Sequence, residues 1–212
     1  MIRTLCLVAA LVSPLPLMAQ DLTPPLAGNF RIDLGHTRLL FRISHLGFSH
    51  YTAFFRDIDA KLVFDPDHPE TMQVTATVKT ASVETMFPDP AVDFNAILAG
   101  ADLLDAARFP EITFTSTAVA LTGADTADVT GDLTLHGVTR PVTLAVTFNG
   151  GYGAFAMDPG GARIGFSATG NLNRSDFGMG FGVPAPGSAF GVGDAVQIII
   201  ETEFTNPDAP KP

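Results

Sequence analysis

The stretch Val129-Thr130-Gly131-Asp132-Leu133-Thr134-Leu135-His136-Gly137-Val138-Thr139-Arg140-Pro141-Val142-Thr143-Leu144-Ala145-Val146-Thr147-Phe148 decides the fold. Apolar side chains fall at Val129, Leu133 and Leu135, then at Val142, Leu144, Val146 and Phe148. Threonines and Asp132 fill the positions between. Period two on both sides of Gly137-Val138-Thr139-Arg140-Pro141 predicts an antiparallel hairpin with one dry and one wet face. Pro141 is expected at the mouth of the second strand, where a missing N–H does least harm.

The same alternation runs outward from this hairpin. Leu39, Phe41 and Ile43 share one face of 37–45, and His45 shares their parity. Phe54, Ile58, Ala60, Leu62 and Phe64 are read as one face of a single strand. Met72, Val74, Ala76 and Val78 form another. Segments 112–121, 162–172 and 195–204 add Phe114, Ile164, Phe166 and Ile198 to the apolar set. With 30–33 as the start of the first strand, about eight strands result. Only Ala91–Ala107 breaks the pattern. Its apolar residues are near helical spacing, and Gly100 argues for two short helices. Long connections are expected at 150–161 and 178–193.

Eight antiparallel strands avoid exposed edges best by closing, so the chain is read as an all-β, eight-stranded antiparallel barrel with a short helical insertion around 91–107. Such a barrel is either filled by its own side chains or holds one small ligand. Inward parity includes Ala60, Ala76, Ala118, Gly131, Ala162, Ala168 and Gly170. These small residues either leave open space or face large partners across a packed core.

Composition narrows the function. The chain has 212 residues, 12 Lys plus Arg against 22 Asp plus Glu, 17 Phe and no Trp. Nucleic acid needs clustered cations to neutralise phosphate, and anionic headgroups do too, so both are poor partners. Phe carries no polar handle and suits an apolar lining. Arg3, the short apolar run Leu5–Leu17 and Leu17-Met18-Ala19 predict a cleaved signal peptide over 1–19, hence export to the periplasm. The one cysteine, Cys6, falls inside it, so the mature chain relies on buried apolar surface rather than disulfides. Beyond it are expected a flexible lead over 20–29, a barrel domain over 30–205 and a tail over 206–212.

Several blocks together resemble the YceI family of lipocalin-like bacterial proteins. Phe30-Arg31-Ile32-Asp33, His36 and Leu39–His45 resemble its opening, Ala81–Thr85 its Ser-Val-x-Thr step, and Phe109–Ser116 its Phe-Pro-x-Ile strand. Gly131–Val142 is similar to its most recognisable block, and Asn173-Arg174-Ser175-Asp176-Phe177-Gly178-Met179 to its Arg-Ser-Asp-Phe-Gly-Met motif. The resemblance implies an exported barrel whose lumen holds a long amphiphile: a polyisoprenoid, an isoprenoid quinone or a fatty-acid derivative. The chain departs from the family at Val92–Leu104, which is apolar and acidic here, and in the Gly- and Pro-enriched loop 182–193.

No catalytic constellation emerges. There is no Gly-x-Ser-x-Gly pentapeptide, no phosphate-binding loop, and no pair of histidines at common zinc spacing among His36, His45, His50, His68 and His136. No metal and no cofactor are called for beyond the bound lipid or quinone. His68 and His136 are expected in solvated turns. His45 either meets a ligand head group or bonds backbone as a buried neutral ring. Arg174 and Asp176 either pair to close a barrel corner or Arg174 anchors a head group. The candidate ligand-binding set is therefore Leu39, Phe41, Ile43, His45, Phe54, Ile58, Leu62, Phe64, Val74, Val78, Phe114, Leu133, Leu144, Val146, Phe148, Ile164, Phe166, Arg174 and Ile198. The chain is read as a carrier and not as an enzyme. A packed barrel acting through its long loops, and a lipid-transforming enzyme using His45 and Asp176, are the rivals. Pairing with a second copy is left open.

Overall fold

The computed structural model describes residues 23–211, so the expected signal peptide and Cys6 lie outside the described residues. Ten strands and one short helix follow in order: β1 Gly28–His45, β2 Ser49–Phe55, β3 Ile58–Phe64, β4 Gln73–Lys79, β5 Val83–Glu84, α1 Phe94–Ala99, β6 Glu111–Leu121, β7 Thr126–Leu135, β8 Val138–Tyr152, β9 Ala162–Asn173 and β10 Val192–Asn206. All pairings are antiparallel, and β10 pairs back onto β1. The closed ring is β1-β3-β4-β6-β7-β8-β9-β10, the eight-stranded barrel that alternation predicted. Closure leaves no edge along this ring. β2 and β5 prolong β3 and β4 beside the upper half of β1.

The decisive hairpin is tighter than its sequence suggests. His136 and Gly137 alone form the turn, with φ of 51° and 74°. Both central residues at positive φ make the turn whose twist matches the strands, and His is among the residues that tolerate it. Thr139, Arg140 and Pro141 already belong to β8, where Pro141 sits opposite Asp132. On the wet face, Oγ1 atoms pair across the strands, Thr130 with Thr143 and Thr134 with Thr139, each at 2.8 Å.

Bulges decide which residues face inward. β1 slips against β10 between Asp33 and Arg38. The lower half therefore turns Phe30 and Ile32 inward, the upper half Leu39, Phe41 and Ile43. At the kink, Thr37 is buried and its Oγ1 lies 2.9 Å from that of Thr202. The expected single strand 54–64 is broken at Arg56-Asp57, where Arg56 N–H donates to the Ser82 carbonyl and Lys79 N–H to that of Asp57. A slip between Ser116 and Ala118 turns Ala118 outward, against its expected inward place.

Only the first of the two expected short helices forms. Asp93 caps it, its carboxylate accepting from Ala96 N–H at 2.9 Å, and Gly100 ends it. Residues 101–107 are turns. The described part of the lead is held down: Pro25 is buried and the Thr23 carbonyl accepts from Gly153 N–H at 2.7 Å.

Candidate functional site: an apolar lumen

The barrel encloses a cavity of about 1040 Å³. A volume of that size is at the upper end for small-molecule sites. Its walls come from every strand of the ring. β1 contributes Leu39, Phe41, Ile43 and His45; β3 contributes Ile58, Leu62 and Phe64; β4 contributes Val74 and Val78. Phe114, Leu133, Leu144, Val146, Phe148, Phe166 and Ile198 continue the wall around β6 to β10, and Arg174 borders it just beyond β9.

Two expected residues do not line it. Phe54 points away, and Phe55 takes its place, because the break at Arg56-Asp57 shifts parity between β2 and β3. Ile164 faces inward but is 0 % exposed. It packs with Phe30, Phe64, Ala162 and Phe204 in a plug that closes part of one barrel end. The sequence reading also missed Thr37, Tyr51, Phe94, Met179, Phe181 and Ile200, which border the lumen. Ile200, two residues beyond Ile198, was available from period two. Met179 and Phe181 follow the left-handed Gly178 in an aperiodic connection and carry no such signal.

Small residues play two parts. Ala60, Ala76 and Ala168 border open volume. Gly131 does not leave the space expected of it: a Cβ there would come 2.3 Å from Phe114 Cζ and 2.6 Å from the Thr115 carbonyl oxygen. The Phe114 ring occupies the vacancy, so here the small residue serves packing.

Polar groups in the wall are few and mostly satisfied internally. Thr37 and Thr202 bond each other, Ser116 Oγ accepts from Val74 N–H at 2.9 Å, and Tyr51 O–H donates to the Thr85 carbonyl at 3.1 Å. His45 lies at the mouth and is exposed, so it is not the buried backbone-bonded ring.

Arg174 is 5 % exposed yet pairs with no carboxylate among the described residues. Its Nε–H donates to the Gly193 carbonyl, Nη1 to Met179 and Phe181, and Nη2 to Val192, at 2.7–2.9 Å. Four of the guanidinium's five N–H groups thus clamp the 178–193 connection. The expected Arg174–Asp176 ion pair is absent. Asp176 is exposed; its carbonyl accepts from Arg140 Nε–H and its carboxylate from Asn173. Burial pushes the Arg174 guanidinium below its ordinary value, with nearby Asp194 opposing.

His136 is not a free solvated turn residue either. Its Nδ1 lies 3.1 Å from the Phe177 carbonyl and its ring is 4.6 Å from that of Phe109. It ties the β7–β8 hairpin to the 174–177 corner.

One charged cluster lies outside the lumen. Arg163 Nη1 donates at 2.6 Å to both Asp33 Oδ2 and Glu203 Oε2, and Nε lies 3.3 Å from Asp158. His36 Nδ1 is 2.9 Å from Asp33 Oδ2. Asp33, His36 and Glu203 stand close enough together to hold a cation. The Arg163 guanidinium already takes that place, so the cluster is an ionic staple across β1, β9 and β10. Burial alone would raise the Asp33 carboxyl, but hydrogen bonds from Arg163, His36 and Gly35 N–H outweigh it and hold it at about 2.

Comparison with known proteins agrees with this architecture. A UPF0312 protein of Pseudomonas putida strain W619 is 44 % identical over 157 residues, spanning 73 % of this chain and 78 % of its own. One from Pseudomonas syringae pv. syringae is 45 % identical over 145 residues, 68 % and 71 % of the two chains. Among solved structures, Burkholderia cenocepacia BcnA matches with a TM-score of 0.66 at 27 % identity, over 81 % of this chain and 98 % of its own. The Campylobacter jejuni YCEI protein matches at 0.62 and 28 %, over 77 % and 89 %. A polyisoprenoid binding domain from Saccharophagus degradans shares the fold at 0.58 and 16 %, over 85 % and 98 %. The YceI-like domain model matches residues 30–204, and the chain belongs to the YceI-like family.

Proposed function

We propose that the protein is an exported carrier that holds one long-chain amphiphile, a polyisoprenoid, isoprenoid quinone or fatty-acid derivative, in the barrel lumen, and that it transforms nothing. The observation that carries this reading is the cavity of about 1040 Å³ walled almost wholly by apolar side chains. Each buried methylene contributes roughly 0.8 kcal/mol. Micromolar binding needs about 8 kcal/mol net. Some tens of buried carbons exceed that after ordering costs of several kcal/mol, without any polar contact. The volume and lining, rather than the likeness to a domain described as polyisoprenoid binding, make the case.

The open volume speaks against a barrel filled by its own side chains. Lipid-transforming chemistry lacks paired groups: His45 stands at the mouth, while Asp176 is exposed outside the lumen wall. Titrating delipidated protein with a fluorescent long-chain amphiphile tests the reading. Saturable binding at one site per barrel, displaced by isoprenoid alcohols or fatty acids, is expected; failure to bind any of these chains overturns it. Export is tested by the mass of the protein recovered from a periplasmic fraction, which should begin after Ala19. A full-length cytoplasmic protein would refute export while leaving the binding reading intact.

A further inference from the structure

We propose that the end of the barrel bearing the β1–β2 turn, α1 and the 178–191 connection docks on the surface of an electroneutral lipid bilayer, where the lumen exchanges its occupant. The exchange step rests on the amphiphile reading above; the docking does not.

Large apolar side chains crowd this end. Phe48 is 85 % exposed and Phe190 83 %, and Met86, Phe87, Ile97 and Phe181 are exposed beside them. They are brought together by contacts between separate segments. Leu46 N–H donates to the Gly191 carbonyl at 2.9 Å, and a Cβ on Gly47 would lie 3.1 Å from that of Ala189. Phe48 and Phe190 therefore crown the same corner. On the other side, Phe87 stacks on Phe94 with ring centres 4.9 Å apart, and Phe94 on Tyr51 at 5.7 Å. Phe87, Ile97 and Phe181 also border the lumen. Apolar surface thus runs without interruption from the rim into the tunnel. Scattered exposed apolar residues need no explanation, but a contiguous set marks an interaction surface.

Charge selects the partner. Residues 178–193 contain no ionisable side chain, and 85–107 contain Asp89, Asp93, Asp102 and Asp105 but no Lys or Arg. The cation that follows, Arg108, is held by Asp105, so this rim is net acidic and disfavours anionic headgroups; a zwitterionic surface carries no such penalty. Phe side chains on loop tips enter the headgroup–acyl boundary as those of interfacial helices do. The opposite barrel end differs. Its exposed Leu26 and Met157 stand on separate connections and Leu121 at the end of β6 beside the lumen, among Asp65, Asp67, Glu70 and Asp158. A long chain released into water forfeits the transfer free energy of every methylene, whereas an apolar path from lumen to bilayer avoids that barrier.

The test pairs the wild type with a Phe48→Ser/Phe190→Ser double variant, in which neither altered residue borders the lumen. Both are floated with phosphatidylcholine vesicles and with vesicles containing added phosphatidylserine, and transfer of a fluorescent long-chain amphiphile to vesicles is timed. The wild type should float with phosphatidylcholine and float less as phosphatidylserine is added. Its transfer rate should rise with vesicle concentration. The double variant should float at least about tenfold less and transfer more slowly, with unchanged melting temperature and probe affinity. No flotation, transfer indifferent to vesicle concentration, or a preference for phosphatidylserine overturns the proposal. So does a concentration-dependent dimer, seen by light scattering, that the double substitution abolishes, since the rim would then serve a second copy. Loss of probe binding with flotation retained would sink the amphiphile reading but not the docking.

Discussion

Filling the lumen from within should weaken ligand binding sharply without harming the fold, and Ala76→Phe is the substitution to use. Ala76 lies opposite Ala60 on β3 and Phe114 on β6, and its side chain borders the open cavity. The new phenyl ring adds about six carbons and excludes a similar length of ligand chain, which at roughly 0.8 kcal/mol per buried methylene is about 5 kcal/mol. A flexible chain recovers about half by sliding along the tunnel, leaving ~2–3 kcal/mol, or roughly 30- to 150-fold weaker binding. The ring enters existing space, so the melting temperature should hold or rise. Thr75→Phe, on the wet face of the same strand, is the matched control and should bind as the wild type does. The assay is titration with a fluorescent long-chain amphiphile, beside thermal unfolding. A folded Ala76→Phe protein with wild-type affinity would refute the reasoning, because the amphiphile would then lie elsewhere.

Gly131→Ala drives its Cβ into the Phe114 ring and the Thr115 carbonyl. The carbonyl belongs to the ladder and cannot yield, so a loss of ~2–3 kcal/mol is expected, read as a drop of about 5–10 °C in melting temperature; an unchanged midpoint would show the gap is not filled. Arg163→Met strands the carboxylates of Asp33, Glu203 and Asp158. The partly buried staple is worth ~1–2 kcal/mol at neutral pH. Because Asp33 is held at about 2 in the fold against an ordinary 3.8, its contribution is present above about pH 4 and fades as pH falls toward 2. The stability gap between wild type and variant should narrow over that window in acid unfolding; a constant gap would contradict the assignment. Arg174→Met frees four carbonyls of the 178–193 connection. Hydrogen exchange should lose protection there while β7, β8 and β9 stay protected; equal loss throughout the barrel would argue against a local clamp.

The eight-strand closure was legible because long strands such as β7 and the first half of β8 advertise period two clearly. What alternation cannot show is where a strand skips a residue. Arg56-Asp57 reads as continuous strand, which puts Phe54 in the wall, yet the break there hands the lumen to Phe55. The slip beside Ser116 likewise reversed Ala118. Depth along the tunnel was equally hidden: Ile164 has the right parity but sits in the end plug. Gly131 shows a third limit. A small residue marks a vacancy, and only the partner strand, here β6 with Phe114, says whether it is filled. Arg174 stands at a strand-to-loop junction that suggests pairing with Asp176 or a head group, but its partners are carbonyls of an aperiodic loop, which no spacing rule anticipates.

Native mass spectrometry of the protein purified from its own source without detergent tests the central claim most directly. The account predicts barrel plus one non-covalent long-chain amphiphile, released intact on activation, with the bare chain appearing only after delipidation. A bare chain in every such preparation, unable to take up any isoprenoid or fatty-acyl chain, would contradict it.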